Sequence, residues 1–323
     1  MAIELAPSTT SARARTWPLA GAVAGAMCIS ASAVLFTLAN VQPVTAAFYR
    51  CVLPLPALAV LAVAEHRRDG PRRLASRACS ALAGFFLALN LVFWIHAIAD
   101  VGAGAATVLG NLQVIFVGPL AWAVFRERLD RRLLATVPVV LVGVVLVSGM
   151  LGHDGTGLHP VAGVLFGLAT SVTYACFLLI LRRAAGHTPY VASQLFDATA
   201  GAAAGALLLG ASSGGMQLAI SLRSLMWLLV LTLTSGIVGW LLITASLPHM
   251  SSTAAAVVLL LEPAGALVLA GVTLGQRPSL LQLTGAALIC AGVLIVARGE
   301  ARTTPRGSSP RRPGPSTPAS RAN

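Results

Sequence analysis

Apolar residues in this chain do not alternate, nor do they recur every third or fourth position as on a half-buried helix. They run in long blocks broken by short polar or Arg-bearing connectors. A bilayer core of about 30 Å takes roughly 20 apolar residues at 1.5 Å rise each. Ten blocks of that kind are found: 18–39, 44–64, 79–99, 102–125, 132–151, 160–181, 190–210, 224–247, 251–274 and 279–297. Each is read as one membrane-spanning helix, and the predicted fold is an all-α integral membrane protein of ten transmembrane helices. Pro54, Pro56, Pro119, Pro138 and Pro263 fall inside blocks, which membrane helices tolerate. Residues 1–17 read as a cytoplasmic N-terminal segment, and 298–323 as a disordered basic cytoplasmic tail, rich in Arg, Pro, Ser and Thr.

Composition removes the soluble alternatives. Only 10% of the 323 residues are charged, against about 25% in a soluble domain. The net charge of +12 comes from 22 Arg, with no Lys. A basic balance alone suggests nucleic acid, but that needs charge clustered on a folded water-facing surface. Here the arginines sit between apolar blocks, so no nucleic-acid partner is expected. With the N-terminus inside, 19 Arg fall in the cytoplasm, two outside (Arg223, Arg277) and one (Arg50) within a span. The positive-inside bias therefore predicts both termini in the cytoplasm of a multi-pass protein of the cell inner membrane. The five cysteines show no pairing by spacing and no metal-ligand pattern, so neither a disulfide, a metal nor another cofactor is expected.

The two halves repeat. Pro18 to Gly25 matches Pro160 to Gly167, and Gln42 to Ala46 matches Thr188 to Ala192. Ala105, Val108, Leu112, Arg128, Gly143 and Val147 recur 149 positions later as Ala254, Val257, Leu261, Arg277, Gly292 and Val296. Five spans per half is an odd number, so the second half enters the membrane from the opposite side. The predicted units are a five-helix repeat over 18–151 and an inverted one over 160–297. This is a plan of secondary transporters, whose substrate site lies near the midplane between repeats.

The segments PVTAAFYR, GAATVLGNLQVIFVGPLAWAVFRERL, STAAAVVLLLEPAGALVLAGVTLGQRP and LTGAALICAGVLIV resemble the EamA-type transporters of the drug/metabolite transporter superfamily. Over residues 18–297 the resemblance implies two EamA domains of five helices each. It also implies transport of small metabolites, often export of amino acids or related compounds. The family's Gly-Glu-Arg signature appears as Arg126-Glu127-Arg128 and Gly275-Gln276-Arg277. Its Leu-Glu-Pro signature is intact at Leu261-Glu262-Pro263, with Gln113 at the corresponding place in the first half.

Ionisable groups inside spans cost about 2.5–3.5 kcal/mol at mid-helix and are candidate functional groups. Glu262 lies about 16 Å into its span by helical rise, near the midplane. It is a candidate for proton exchange, for binding a substrate ammonium, or for a structural pairing with Arg50. Arg50 suits a carboxylate clamp, since its planar guanidinium binds carboxylates through two parallel N–H bonds, or a permanent partner for Glu262. Asp197, less deep, is expected to reach water at the inner mouth. Among neutral groups, Gln113 is favoured for the cavity over Asn111. Asn90 with Trp94, and Trp240 with Thr244, share helix faces at a four-residue spacing. Tyr49 and Tyr174 offer hydroxyls, against ordinary bundle packing for each aromatic. His96 and Asp100 are spaced for an outer gate.

The reading is a secondary transporter for a small polar metabolite, working by alternating access and exporting on the strength of the resemblance. Its partners are the small-molecule substrate and the lipid bilayer, with proton coupling and a homodimer both open. A lipophilic-cation efflux pump is the alternative. An integral membrane enzyme is disfavoured because the spans lack HExxH, a nucleophile with a matching base, or an aspartate pair.

Overall fold

The computed structural model describes residues 9–126, 131–147, 159–185, 190–213, 215–246, 258 and 261–303. Among them every regular element is helical. Long apolar blocks permit nothing else, because a helix pairs its backbone within the segment while an open strand does not. Seven helical stretches are long and apolar enough to cross a bilayer, and they coincide with the first four, sixth, seventh and eighth predicted spans. The fifth, ninth and tenth fall on shorter apolar helices, Thr136–Val147, Leu261–Leu274 and Leu280–Gly292.

Several spans read as single helices are interrupted. The first divides at Ala31 into α1 (Thr9–Ser30) and α2 (Ser32–Ala39). The second divides at Leu53-Pro54 into α3 (Pro43–Val52) and α4 (Leu55–Asp69). Proline has no N–H for the ladder and its ring crowds the preceding turn, so Pro54 and Pro56 account for this break. The third span is one helix, α5 (Leu74–Val101). The fourth divides at Asn111-Leu112 into α6 (Ala103–Gly110) and α7 (Gln113–Phe125). Then come α8 (Arg131–Val147), α9 (Pro160–Ala185) and α10 (Val191–Ser213). The eighth span opens as α11 (Leu222–Leu231), widens into a π-helical turn over Thr232–Gly239, and resumes as α12 (Trp240–Ser246). The last described elements are α13 (Leu261–Leu274) and α14 (Leu280–Thr303). α14 runs through 298–303, the start of the segment read as a disordered tail. The remainder of that tail lies outside the described residues.

The halves interlock. α5 packs along α9, and α1 along α12 and the π turn. α7 meets α9, and α13 meets α1. α6 packs on α13, α8 on α14, and α10 on α3 and α4. Small residues allow this closeness. A Cβ at Gly84 would strike the Ala198 carbonyl, and one at Gly201 the Ala81 carbonyl, so α5 and α10 touch backbone to backbone. Gly143 and Gly285 do the same for α8 and α14, where a Cβ on either would stand 2.9 or 2.6 Å from the other's carbonyl oxygen. Helices in lipid associate through such close packing, since the tails are as apolar as the side chains.

Candidate functional site

Three ionisable groups within the spans come from three elements. Arg50 sits near the end of α3 and Glu262 in the described first turn of α13. Tyr174 on α9 lies within electrostatic reach of both. Protein surrounds all three groups, yet Arg50, Tyr174 and Glu262 each keep some accessible surface. The three groups are thus neither sealed in the core nor on the open surface.

Arg50 and Glu262 do not pair. Neither side chain makes a hydrogen bond or ion pair among the described residues. Their polar atoms are not sealed away, either: the one fully buried, unpartnered side-chain polar atom among the described residues is the Ser246 hydroxyl. The predicted alternative of a permanent Arg50–Glu262 pair is thereby corrected. Two opposite charges, each within electrostatic reach of Tyr174, have no partner among the described residues.

Local structure holds each in place. Ser30 donates to the Ala26 carbonyl at 2.8 Å and reaches the Leu261 carbonyl at 3.4 Å. Gly265 has no side chain to displace Ser30, so α13 lies against the end of α1 and brings Glu262 beside the break at Ala31. Arg50 lies against the π turn: a Cβ on Gly236 would be 2.9 Å from Nη1 and 3.2 Å from Cζ and Nη2. A π turn carries one more residue per hydrogen bond than an α turn, and such bulges recur at functional sites. Sequence reasoning missed Gly236 and this turn. The only available signal was the Thr-Ser-Gly run inside an otherwise apolar block.

The break in the fourth span is also braced. Ser171 on α9 donates toward the Leu109 and Gly110 carbonyls, 2.7 and 3.1 Å away, at the point where the fourth span is interrupted. Asn111 turns its amide back to the Thr107 carbonyl at 2.9 Å. Gln113 opens α7, half-buried and without a hydrogen bond among the described residues. Of the two amides at the break, Gln113 is the one without a partner among the described residues.

Other predicted residues are occupied elsewhere. Asn90 donates to the Thr170 carbonyl at 3.0 Å and ties α5 to α9. Trp94 meets Phe36 edge to face at 5.5 Å, within the core. The Tyr49 hydroxyl donates to the Leu218 carbonyl at 2.6 Å, away from the other candidates. His96 bonds the Val92 carbonyl at 2.8 Å and lies 5.0 Å from the Phe166 ring; the described contacts include none with the Asp100 side chain. The side chains of Trp240 and Thr244 lie outside the described residues.

Asp197 is a correction. Expected at a watery mouth, it is buried and ion-paired to Arg72 at 2.9 Å and Arg77 at 3.4 Å. Arg72 also donates to Ser76 and Ser80, and Ser76 donates to the Ala184 carbonyl on α9. Arg72 is among the 19 arginines that the sequence assigns to the cytoplasm, yet its side chain is 4% exposed. Its place in a short Arg-rich connector hid this, because nothing in the sequence separates it from Arg73. Nearby, both Glu65 oxygens accept from the Ala192 and Ser193 N–H groups at 3.1 and 2.7 Å, so a carboxylate on α4 caps α10.

Comparison with known proteins gives this geometry its setting. The model of the EamA-like transporter family matches twice, over residues 16–149 and 161–298. An uncharacterized transporter of Bacillus subtilis is 26% identical over 231 residues, 70% of this chain and 72% of its own. A Salmonella typhimurium protein described as a probable amino-acid metabolite efflux pump is 31% identical over 203 residues, 60% of this chain and 67% of its own. One crystal structure aligns over 91% of this chain and 100% of its own with a TM-score of 0.55 and 20% identity, a likeness of fold. With two matches that together take in most of its length, this multi-pass membrane protein belongs to the EamA-like transporter family, within the drug/metabolite transporter superfamily.

Proposed function

We propose that the chain is a secondary transporter that exports a small polar metabolite, an amino acid or a related compound, across the cytoplasmic membrane by alternating access. The observation that carries this reading is the pair of opposite charges, Arg50 and Glu262, which have no partner among the described residues and both act on Tyr174. A zwitterion satisfies both at once, with its carboxylate on Arg50 and its ammonium on Glu262. Burying either charge unpaired is costly, so a substrate that neutralises both has a reason to bind. Glu262 can exchange a proton when the substrate leaves, which would couple export to the proton gradient. Gln113 adds a neutral donor and acceptor.

The working architecture is ten helices in two inverted five-helix repeats, 18–151 and 160–297. Support comes from the way the halves pair: exchanging each element for its repeat counterpart turns α5 on α9 into the eighth span on α1, and α7 on α9 into α13 on α1. The family model also matches once per half. Both termini are cytoplasmic on the distribution of arginines, Arg72 now set aside as buried. A Salmonella relative described as an amino-acid metabolite pump favours the substrate class. A lipophilic-cation pump is the weaker reading, since an unpaired Arg50 repels its cargo.

The test compares metabolites in the medium of strains lacking and overproducing the protein, by mass spectrometry. Accumulation of an amino-acid-like compound that tracks expression is expected. Its absence across all such compounds overturns the reading.

A further inference from the structure

We propose that Gly236 is a positioning residue: the π turn presents its bare backbone as a seat for the Arg50 guanidinium, holding it to receive a planar carboxylate. The inference rests on the reading of Arg50 as the anion-binding group of the cavity. The three distances from the Cβ position of Gly236, 2.9 Å to Nη1 and 3.2 Å to Cζ and Nη2, are nearly equal. A point off the N–H edge would lie clearly farther from Cζ than from the terminal nitrogens. The seat therefore covers mainly the face of the group, and the hydrogen-bonding edge is left for a ligand.

That edge has no acceptor among the described residues. A guanidinium whose face rests on backbone and whose edge is open is prepared for a two-point carboxylate bond, the strong and directional form of this interaction. A flexible arginine gives up side-chain freedom to bind an anion; a seated one has already lost it.

The seat is itself fixed. Ser235, next to Gly236 in the π turn, is hydrogen-bonded to Ser32 at 2.6 Å, hydroxyl to hydroxyl. Ser32 begins α2 directly after the break at Ala31. Gly239 closes the same turn against α1, where a Cβ would come within 2.9 Å of Ile29. The kink of the first span and the widened turn of the eighth thus hold each other, and the guanidinium lies on the result.

Gly236→Ala separates positioning from folding. The three atoms nearest its new methyl all belong to the end of one flexible side chain, so Arg50 gives way while the helices stay. The full chain, purified in detergent, is treated with phenylglyoxal, and labelling of Arg50 is read by peptide mass spectrometry. Benzoate is the planar carboxylate probe and benzamide its neutral control. In the natural sequence benzoate should protect Arg50 and benzamide should not. In Gly236→Ala, half-protection should need about tenfold more benzoate, with labelling in its absence and the melting temperature both unchanged. Ser32→Ala, which frees the π turn without adding atoms, should shift half-protection in the same direction.

Equal protection by benzoate and benzamide would overturn the proposal, as would unchanged half-protection in Gly236→Ala. So would failure of Gly236→Ala to fold, because the guanidinium would then not be what yields. Failure of the transport reading looks different: benzoate protection stays intact while no metabolite is exported.

Discussion

Arg72 and Asp197 meet at 2.9 Å across the two halves of the chain, and their side chains are 4% and 10% exposed. Water screens this pair little, and Ser76 and Ser80 occupy further guanidinium donors. Removing one partner of such a pair typically costs about 3–5 kcal/mol, because the other is left buried and uncompensated. Asp197→Ala should therefore lower the detergent melting temperature sharply. The double variant Arg72→Met with Asp197→Met should recover much of that loss. Thermal unfolding of the three proteins tests this, and equal melting of single and double variants would refute it.

Glu262→Gln and Arg50→Ala should both fold and both fail to export. Neither side chain contributes a hydrogen bond or ion pair to the described structure, so stability has little to lose. Export of a carboxylate-bearing metabolite should fall at least about tenfold in each, the effect of losing one charge-assisted contact worth about 1.5–3 kcal/mol. Normal export by Glu262→Gln would remove Glu262 from the mechanism. Surviving efflux of a lipophilic cation in Arg50→Ala, with carboxylate export lost, would separate the two cargo classes.

Gly84→Val should prevent folding, whereas Gly70→Val should not. A side chain at Gly84 strikes the Ala198 carbonyl and crowds the Ala202 amide, and neither can move without parting α5 from α10. At Gly70 nothing lies within 4 Å, although φ of +83° leaves some backbone strain. Overpacking typically costs about 1–3 kcal/mol and more where backbone is struck. Monodisperse yield on size-exclusion chromatography distinguishes the two.

Ser171→Ala should loosen the fourth span at its break. The hydroxyl serves the Leu109 and Gly110 carbonyls at 2.7 and 3.1 Å; the Leu109 carbonyl keeps the Leu112 N–H as a donor at 3.1 Å, so the loss is that of one hydrogen bond, about 0.5–1.5 kcal/mol. Faster amide exchange over residues 109–113 should mark the loss. Unchanged exchange there would show that the break is held by other contacts.

Hydrophobic blocks made the helices legible because lipid demands length and apolarity, and both are properties of a run of residues. The interruptions were less so. Pro54 announces its break, but the Gly110-Asn111 pair before Leu112 is a weaker signal, and the brace that stabilises this break comes from Ser171 on another span. Charge was legible as type and depth, so Arg50 and Glu262 stood out. Partnership was not: Arg72 resembles its neighbours until the fold carries Asp197 to it. Gly236 was invisible for a related reason, since a glycine's role depends on what rests against it.

The interruptions at Ala31, at Asn111-Leu112 and over the π turn have one more consequence. Hydrocarbon cannot solvate a carbonyl that has lost its helical partner, so non-helical backbone at membrane depth survives only against protein or water. These points therefore mark the side of each span from which the acyl chains are kept away. Each of these spans has a side that must rest on protein or water, fixed by the backbone itself before any cargo enters.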